Sequence, residues 1–326
     1  MYHELPDDNT IHTALELALR APSVHNVQPW RWRITDRSVH LDLDPTRAPP
    51  YADPVQRDLV LSCGAALHHL NVAFAALGWS AVVHRLPNPV DPNHLAAIEL
   101  VRHRPTPLDI ALSAAIAQRR TDRRHYASWP IPPGYLGLVT ERAAALGAIV
   151  RQAADPAHDH LAEAIRKSAA RHATDPDNRY ALSDWSDRRN TAGCVPAEDT
   201  PSQGAEDELP VGDVATPPLV DNADETDYAK LLVLGTSALD RLSRLRAGEA
   251  MSAVLLTATN VGLATCALTE PLEIADVRRM VRRSILYDIA YPQVVIRIGW
   301  APISMPTLPR RLVEDVVEPT DRDPFG

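Results

Sequence analysis

The chain has 326 residues, enough for about two ordinary domains and for a core that needs no disulfide or metal to hold it. Hydrophobic residues make up 45% of the sequence and charged residues 23%, values typical of a soluble globular protein. The net charge of -9 and the pI near 5.8, with no basic stripe, argue against a nucleic-acid-binding protein. Cys63, Cys194 and Cys266 lie far apart, which predicts reduced intracellular thiols and neither a disulfide framework nor a zinc site.

Two segments bear on localisation. Residues 1–10 are acidic and polar, unlike a signal peptide. Residues 250–268 carry no formal charge and are long enough to raise the question of a membrane span. Because Thr257, Thr259, Asn260 and Thr265 interrupt this segment, we interpret it as a buried helix. The sequence thus predicts a cytoplasmic protein without a membrane span.

Helical and strand-like patterns alternate along the chain, the helices marked by a 3.6-residue apolar period and the strands by short apolar runs. In chain order the sequence predicts a helix at 11–20, strands at 30–35 and 39–43, a helix from Gly64 to about 78, strands at 80–85 and 95–101, helices at 109–119, 134–147 and 157–174, a strand at 230–235, a helix from Gly248 to about 262, a strand at 264–268, a helix at 272–283 and a strand at 293–299.

Two of these helices match each other. Each begins with Gly-x-Ala and an apolar residue, at Gly64 and at Gly248, and each ends at the same distance along the chain with a glycine between apolar residues, at Gly78 and at Gly262. The offset between the copies, 248 minus 64, is over half the length of the chain. Two copies are too few for a solenoid, so we expect a duplicated domain packed about a pseudo-twofold axis, as in a fused homodimer. We place the halves at 1–107 and 108–326.

The second half contains a polar insert at about residues 190–227. It is rich in acidic residues and prolines and has little periodicity. A segment of this length without secondary structure is usually a functional loop or a disordered one. We favour a lid, with a disordered insert as the alternative.

Residues 20–30 form the first candidate motif, Arg-Ala-Pro-Ser-Val-His-Asn-Val-Gln-Pro-Trp. A helix should end before Pro22, Ser23 can cap a short helix, and Pro29-Trp30 should begin a strand. The Ser23, Asn26 and Gln28 side chains then lie on a tight turn and could hydrogen-bond the edge of a planar heterocycle. The residues alone favour the simpler alternative of a capped turn with Trp30 in the core.

Two arginine-rich segments form the other candidates. Residues 118–124 read Gln-Arg-Arg-Thr-Asp-Arg-Arg after a helix, a composition that can bind phosphate through bidentate guanidinium contacts or can be a solvated helix end. Arg310-Arg311 near the C-terminus is by itself a surface tail. The sequence has neither a dinucleotide-binding glycine fingerprint nor a P-loop nor a Gly-x-Ser-x-Gly elbow, and no histidine has metal-ligand spacing, so we expect no metal site.

In combination, the Pro-Ser turn, the Arg-Arg-Thr-x-Arg run, the C-terminal Arg-Arg-Leu, the Gly-x-Ala helices and the apolar turn at residues 265–270 resemble the nitroreductase family over almost the whole chain. The resemblance implies an α+β nitroreductase-like fold, here with two tandem related halves that form a pseudo-dimer in one chain. In that family FMN binds at the interface of an obligate dimer.

The resemblance also implies roles for individual residues. Thr121 would stand where the family commonly has Ser, Arg310 is the weaker of the two C-terminal candidates, and the family often has Gly near Leu268. The phosphate and ribityl chain would be held by Arg119, Arg120, Thr121, Arg123, Arg310 and Arg311. The ring would be lined by Pro22, Ser23, Val24, Asn26 and Gln28, with Leu268, Thr269 and Glu270 near its reactive edge.

Only one complete site can be assembled, because the first half lacks the arginine run and the region expected to hold the second half's turn shows only residues 185–189, Trp-Ser-Asp-Arg-Arg. We therefore expect one FMN per chain, as in the Acg-like tandem branch. The expected function is reduction of nitroaromatic or quinone-like acceptors with NAD(P)H, the cofactor carrying the chemistry and no side chain named as catalytic. The alternatives are FMN storage under the lid and a scaffold without flavin. Expected partners are FMN and a small aromatic acceptor, in a monomer or weak homodimer.

Overall fold

The computed structural model describes residues 5–48, 56–174, 227–301 and 307–318. The helices within these ranges are α1 Asp8–Ala18, α2 Arg57–Ala76, α3 Pro107–Gln118, α4 Pro133–Ala145, α5 Ala157–Thr174, α6 Arg241–Asn260 and α7 Ala275–Ser284. The strands are β1 Trp30–Ile34, β2 Val39–Leu43, β3 Trp79–Arg85, β4 His94–Arg102, β5 Ile149–Gln152, β6 Lys230–Thr236, β7 Ala264–Leu268 and β8 Tyr291–Gly299. Apart from Asp227, the predicted insert and its lid lie outside the described residues, as do residues 185–189 and Cys194.

The strands form two antiparallel sheets with the same topology. The first has the order β1-β2-β4-β3 and the second β5-β6-β8-β7, so each sheet follows the pattern first, second, fourth, third. The pairing register shifts once in each sheet, between the second and fourth strands: at Leu41/Asp42 in one and at Leu234/Gly235 in the other. A shared order and a shared irregularity indicate that the halves are structural repeats.

The matching helices α2 and α6 pack against each other between the sheets. They cross at the two repeat glycines: a Cβ at Gly64 would collide with the Leu245 carbonyl oxygen, and a Cβ at Gly248 with the Leu61 carbonyl oxygen. The two contacts are equivalent in the repeat, because Leu61 and Leu245 are separated by the same number of residues as Gly64 and Gly248. The pseudo-twofold axis predicted from the sequence therefore passes between Gly64 and Gly248, where only glycine permits the close approach of the two backbones.

The helices end in the same way. Gly78 and Gly262, which correspond to each other in the repeat, adopt φ values of +89° and +85° directly after α2 and α6. A left-handed residue at this position closes a helix and is easiest for glycine. The chain then enters β3 in one half and β7 in the other.

Most predicted elements are present, and the α+β class is confirmed. The sequence prediction missed β5, which has only four residues, three of them exposed. The predicted helix at 272–283 begins late, because Glu270–Leu272 forms a 3-10 turn before α7. The boundary at residue 107 stays a prediction; α3, which starts there, packs against both α2 and α6.

The structure also bears on the predicted reduced thiols and on the predicted absence of a membrane span. Cys63 and Cys266 are buried free thiols, and burial raises the pKa of both. Among the described residues one helix is long and apolar enough to cross a membrane, and it is Arg57–Ala76, not the segment at 250–268 singled out above. Most of that helix is buried against the rest of the protein.

Candidate functional site

A cavity of about 550 Å³ lies where three segments meet: the outer face of α1, the end of α3 and the C-terminal segment. Six of the fourteen predicted site residues line it, and all six belong to the two arginine-rich motifs. They are Arg119, Arg120, Thr121, Arg123, Arg310 and Arg311. The structure thus brings together two motifs that are separated by more than half of the sequence.

Helix α1 supplies one wall. The Asp7 carboxylate caps it by accepting from the Thr10 N–H at 2.8 Å. Its apolar face, with Ile11, Leu15 and Ala18, is buried. The opposite face carries His12, Thr13 and Glu16, which line the cavity, and Arg20 lines it just beyond the end of the helix. The sequence prediction missed this wall, although the regular spacing of positions 12, 16 and 20 marks a single helical face.

The arginine run begins where α3 ends. Thr106 and Asp109 form a capping box at the start of this helix, and Arg119 leaves it in an extended conformation at its end. Beyond that point Thr121 pairs with Thr265 of β7, and the Asp122 N–H donates to the Thr265 carbonyl at 2.9 Å. The run therefore lies along the edge of the second sheet, and its arginines reach the cavity from there.

The C-terminal segment belongs to the second half by sequence but reaches the cavity along the first sheet. The Trp32 N–H donates to the Val316 carbonyl at 2.7 Å, and the Glu318 N–H donates to the Trp32 carbonyl at 2.9 Å, which adds the segment to the edge of the first sheet. This pairing places Arg310 and Arg311 opposite the arginine run. The cavity thus needs both halves of the chain.

The turn at residues 22–28 holds the C-terminal arginines. The Arg310 guanidinium donates to Asn26 Oδ1 at 2.8 Å, and the Arg311 N–H donates to Gln28 Oε1 at 2.9 Å. His25, Asn26 and Gln28 all have positive φ values, between 43° and 52°. Such conformations are strained for residues other than glycine and are concentrated at functional sites.

The turn differs in detail from its prediction. Ser23 precedes a 3-10 helix at Val24–Asn26 as expected, but its hydroxyl makes no cap. It accepts instead from the Gln28 N–H at 3.0 Å, which closes the turn. Asn26 and Gln28 are buried and bond the C-terminal segment, so the turn's contact with a ring stays a prediction. Pro22 and Val24 are half-buried and lie outside the cavity wall.

The predicted residues at the ring's reactive edge lie elsewhere. Leu268 is buried at the end of β7, and the Thr269 carbonyl accepts from the Arg57 guanidinium at 3.2 Å. Neither residue, nor the neighbouring Glu270, lines the cavity. The structure therefore does not bring this loop together with the arginine cluster, and its predicted role stays a prediction.

The arginine cluster consists of Arg119, which is buried, and of Arg120, Arg123 and Arg310, which are half-buried. The carboxylates of Glu16 and Glu314 line the same cavity. Arg119 is 4% exposed, and burial, followed by repulsion from Arg310 and Arg120, lowers its pKa to about 9. Burial, followed by the charges of Arg120 and Arg20, lowers the pKa of Arg310 to about 10. Within the described part of the chain, none of Arg119, Arg120, Arg123 and Arg310 pairs with an acidic side chain.

Some guanidinium groups in the cluster also have N–H donors without a hydrogen-bond acceptor. The buried Nε atoms of Arg119, Arg120 and Arg123 have no hydrogen-bond partner among the described residues. Buried cations are normally paired, and buried donors are normally satisfied. A bound anion with several oxygens would supply both the missing charge and the missing acceptors. The cavity is therefore chemically suited to a phosphate group.

One other group of potential ligands lies outside the cavity. Asp155, His158 and Asp159 bring three ligand atoms within 4.8 Å of one another at a largely exposed position. The sequence expectation of no metal site overlooked this group. Exposed acidic clusters are common without a metal, and nothing else at this position points to one.

Comparison with known proteins assigns the chain to a family, although no family model matches it. A Mycobacterium tuberculosis H37Rv protein named "Putative NAD(P)H nitroreductase Rv3131" is 45% identical over 324 residues, covering 98% of this chain and 94% of the relative. A protein of the same strain named "Putative NAD(P)H nitroreductase acg" is 36% identical over 333 residues, covering 97% of each chain. The chain belongs to the nitroreductase family, in its Acg-like branch, and has the two-part nitroreductase-like fold.

Solved structures of the same broad family are more distant. A nitroreductase with bound FMN from Desulfitobacterium hafniense is 12% identical with a TM-score of 0.41, over 65% of this chain and 98% of that one. The FMN-dependent nitroreductase NfnB from Mycobacterium smegmatis, in complex with NADPH, is 17% identical with a TM-score of 0.38, over 61% of this chain and 95% of that one.

Proposed function

We propose that the chain binds one FMN, with the phosphate in the arginine-lined cavity, and passes electrons from NAD(P)H to nitroaromatic or quinone-like acceptors. The observation that carries the proposal is the cluster of Arg119, Arg120, Arg123 and Arg310. Arg119 is buried, the Nε atoms of the first three are buried without a hydrogen-bond partner, and none of the four forms an ion pair with a carboxylate among the described residues. The relatives named NAD(P)H nitroreductase, at 45% and 36% identity over nearly the whole chain, support the choice of cofactor and donor.

In this proposal the residues of the chain bind and orient the cofactor. Arg119, Arg120, Arg123 and Arg310 would contact the phosphate, and Thr121 could donate its hydroxyl. Asn26 and Gln28 would act indirectly, because their side-chain amides hold the C-terminal arginines in place. FMN, when bound, supplies the hydride acceptance and release. No side chain is required as a nucleophile.

The electrostatics of the cavity favour a dianion. Desolvation and repulsion from neighbouring arginines destabilise the charged forms of Arg119 and Arg310, and the charge of a bound phosphate would offset both effects. Each charge-assisted contact contributes roughly 1.5–3 kcal/mol. Three such contacts would supply roughly 5–9 kcal/mol before the entropy of association is subtracted.

The test is spectroscopic. The purified protein should be yellow or should take up added FMN in a one-to-one ratio, and its flavin absorbance should bleach anaerobically with NADPH or NADH. Addition of a nitroaromatic compound or a quinone should restore the absorbance. Flavin that binds but is not bleached by either nicotinamide would contradict the reductase and favour storage. Failure to bind FMN at all would contradict the whole proposal.

A further inference from the structure

The loop that carries the arginine run is held by a buried arginine on the neighbouring strand. Arg297 of β8 is 0% exposed. Its guanidinium donates to the Arg123 carbonyl at 3.1 Å and to the Arg124 carbonyl at 3.0 Å. It also lies over the Tyr126 ring, 4.9 Å from the centroid.

Asp227 completes this arrangement. Its Oδ2 accepts from Arg297 at 2.6 Å, and its Oδ1 accepts from the N–H groups of Tyr126 and Ala229 at 3.0 and 3.1 Å. The carboxylate thus joins the strand arginine to the backbone of the loop. Asp227 is also the last residue of the polar insert predicted from the sequence, so the end of that insert is part of the site's framework.

The loop has little backbone pairing of its own and is held mainly by side chains. Within the loop, the Asp122 carboxylate accepts from the Arg124 N–H and guanidinium, and the Asp122 carbonyl accepts from the Tyr126 hydroxyl. Arg297 and Asp227 are the contacts that tie the loop to β8 and β6. Between the isolated bridges at Thr121 and Ala127 there is no regular strand or helix. Arg124 is buried, and its carbonyl and that of Arg123 would lose these donor contacts without Arg297. Buried carbonyls without donors are strongly disfavoured, so loss of the pair should allow the loop to move.

We propose that the Arg297–Asp227 pair positions the arginine run for anion binding: it fixes the backbone at Arg123 and Arg124 and so fixes where the neighbouring guanidinium groups meet a phosphate. Both are positioning residues, since neither lines the cavity. The inference rests on the proposed function for the identity of the ligand as FMN. Its central claim, preorganisation of a phosphate site, applies equally to inorganic phosphate.

Asp227→Asn tests the proposal with the smallest change in shape. The variant keeps an oxygen for the Tyr126 and Ala229 N–H groups and removes the charge that faces Arg297. We expect the dissociation constants for FMN and for inorganic phosphate to rise at least tenfold together. Arg297→Lys, which keeps the charge but cannot donate to both carbonyls in a fork, should lie between the wild type and Asp227→Asn.

The matched control is a second arginine–carboxylate pair, far from the loop in sequence, whose carboxylate is buried. Arg85 of β3 and Glu249 of α6 form a bidentate pair at 2.8 and 2.9 Å, with Glu249 1% exposed. Glu249→Gln should lower the melting temperature yet leave both dissociation constants within twofold of wild type. Hydrogen exchange of the amides at residues 121–127 should accelerate in Asp227→Asn and stay unchanged in Glu249→Gln.

The outcomes separate this inference from the proposed function. Wild-type protein that binds phosphate but not FMN would contradict the FMN proposal and leave the positioning role testable with phosphate. Asp227→Asn that loses thermal stability but keeps both affinities would show a purely structural pair and overturn the inference. A wild type that binds neither ligand would overturn both.

Discussion

Replacing Arg119 by Met should separate stability from ligand affinity. Arg119 is buried and its pKa is lowered to about 9, chiefly by burial, a shift that corresponds to about 5 kcal/mol against the charged form. The substitution removes this buried cation and also two long hydrogen bonds, to the Arg20 carbonyl at 3.3 Å and to Thr121 Oγ1 at 3.4 Å. Those bonds contribute about 1–3 kcal/mol together.

The net result should be an apoprotein as stable as wild type or up to about 3 kcal/mol more stable in urea unfolding, since the cost of the buried charge exceeds the lost bonds. Phosphate or FMN affinity should fall roughly 10- to 150-fold, the loss of one charge-assisted contact. Calorimetric titration with phosphate and fluorescence titration with FMN measure the second effect.

Arg85→Met is the control, because Arg85 has a carboxylate partner and Arg119 has none among the described residues. Leaving Glu249 buried and unpaired should lower the free energy of unfolding by about 3–5 kcal/mol with no change in phosphate affinity. Were Arg119→Met to destabilise the apoprotein as strongly as the control while retaining its phosphate affinity, the assignment of the cluster to an anion would be refuted.

Three further outcomes follow from the described contacts. Gly248→Ala should lower the free energy of unfolding by about 3 kcal/mol or more in a urea titration, because its methyl group collides with the Leu61 carbonyl and forces α2 and α6 apart. Stability should also fall as the pH drops from about 6.5 to about 4, since burial lowers the pKa of His68 to about 4 and the unfolded chain binds the proton first. The loss from His68 is about 3 kcal/mol. Burial also lowers the pKa of the neighbouring His69 well below its usual value, so His68→Gln should reduce the slope of the pH profile without abolishing it. Gln28→Ala should release the C-terminal segment by removing the acceptor of the Arg311 N–H, with faster proteolysis near residue 310 and weaker phosphate binding; equal cleavage rates would argue against this anchoring role.

The fold was predictable where sequence patterns repeat. The glycines at positions 64 and 248 recur at a constant offset, which allowed two related halves about a pseudo-twofold axis to be predicted without coordinates. They do not mark the helix starts, because α2 begins at Arg57 and α6 at Arg241. Strand β5 could not be found in this way. It is too short to show a period, and its place in the sheet depends on pairing with β6, which follows only after α5 and the whole polar insert.

The residue types of the site were predictable from the sequence, but the tertiary contacts that bring them together were not. The arginine-rich motifs indicated a phosphate-binding chemistry, and the structure brings them to one cavity. Nothing in the residues near Trp32 indicated that the C-terminal segment would pair with β1, which is what places Arg310 and Arg311. The roles of Asn26 and Gln28 in holding that segment, and of Arg297 in holding the run, depend on tertiary contacts of this kind.

The contact between Gly64 and Gly248 has a consequence for how the molecule can vary. In a protein built from two identical subunits, any substitution near the symmetry axis is made twice, and the two new side chains meet each other. Here each copy is encoded separately, so a single change alters one side alone. His68 shows the effect: its counterpart in the second half is Ser252, and the two side chains hydrogen-bond each other at 2.8 Å, so a titratable imidazole on one side of the axis meets a hydroxyl on the other.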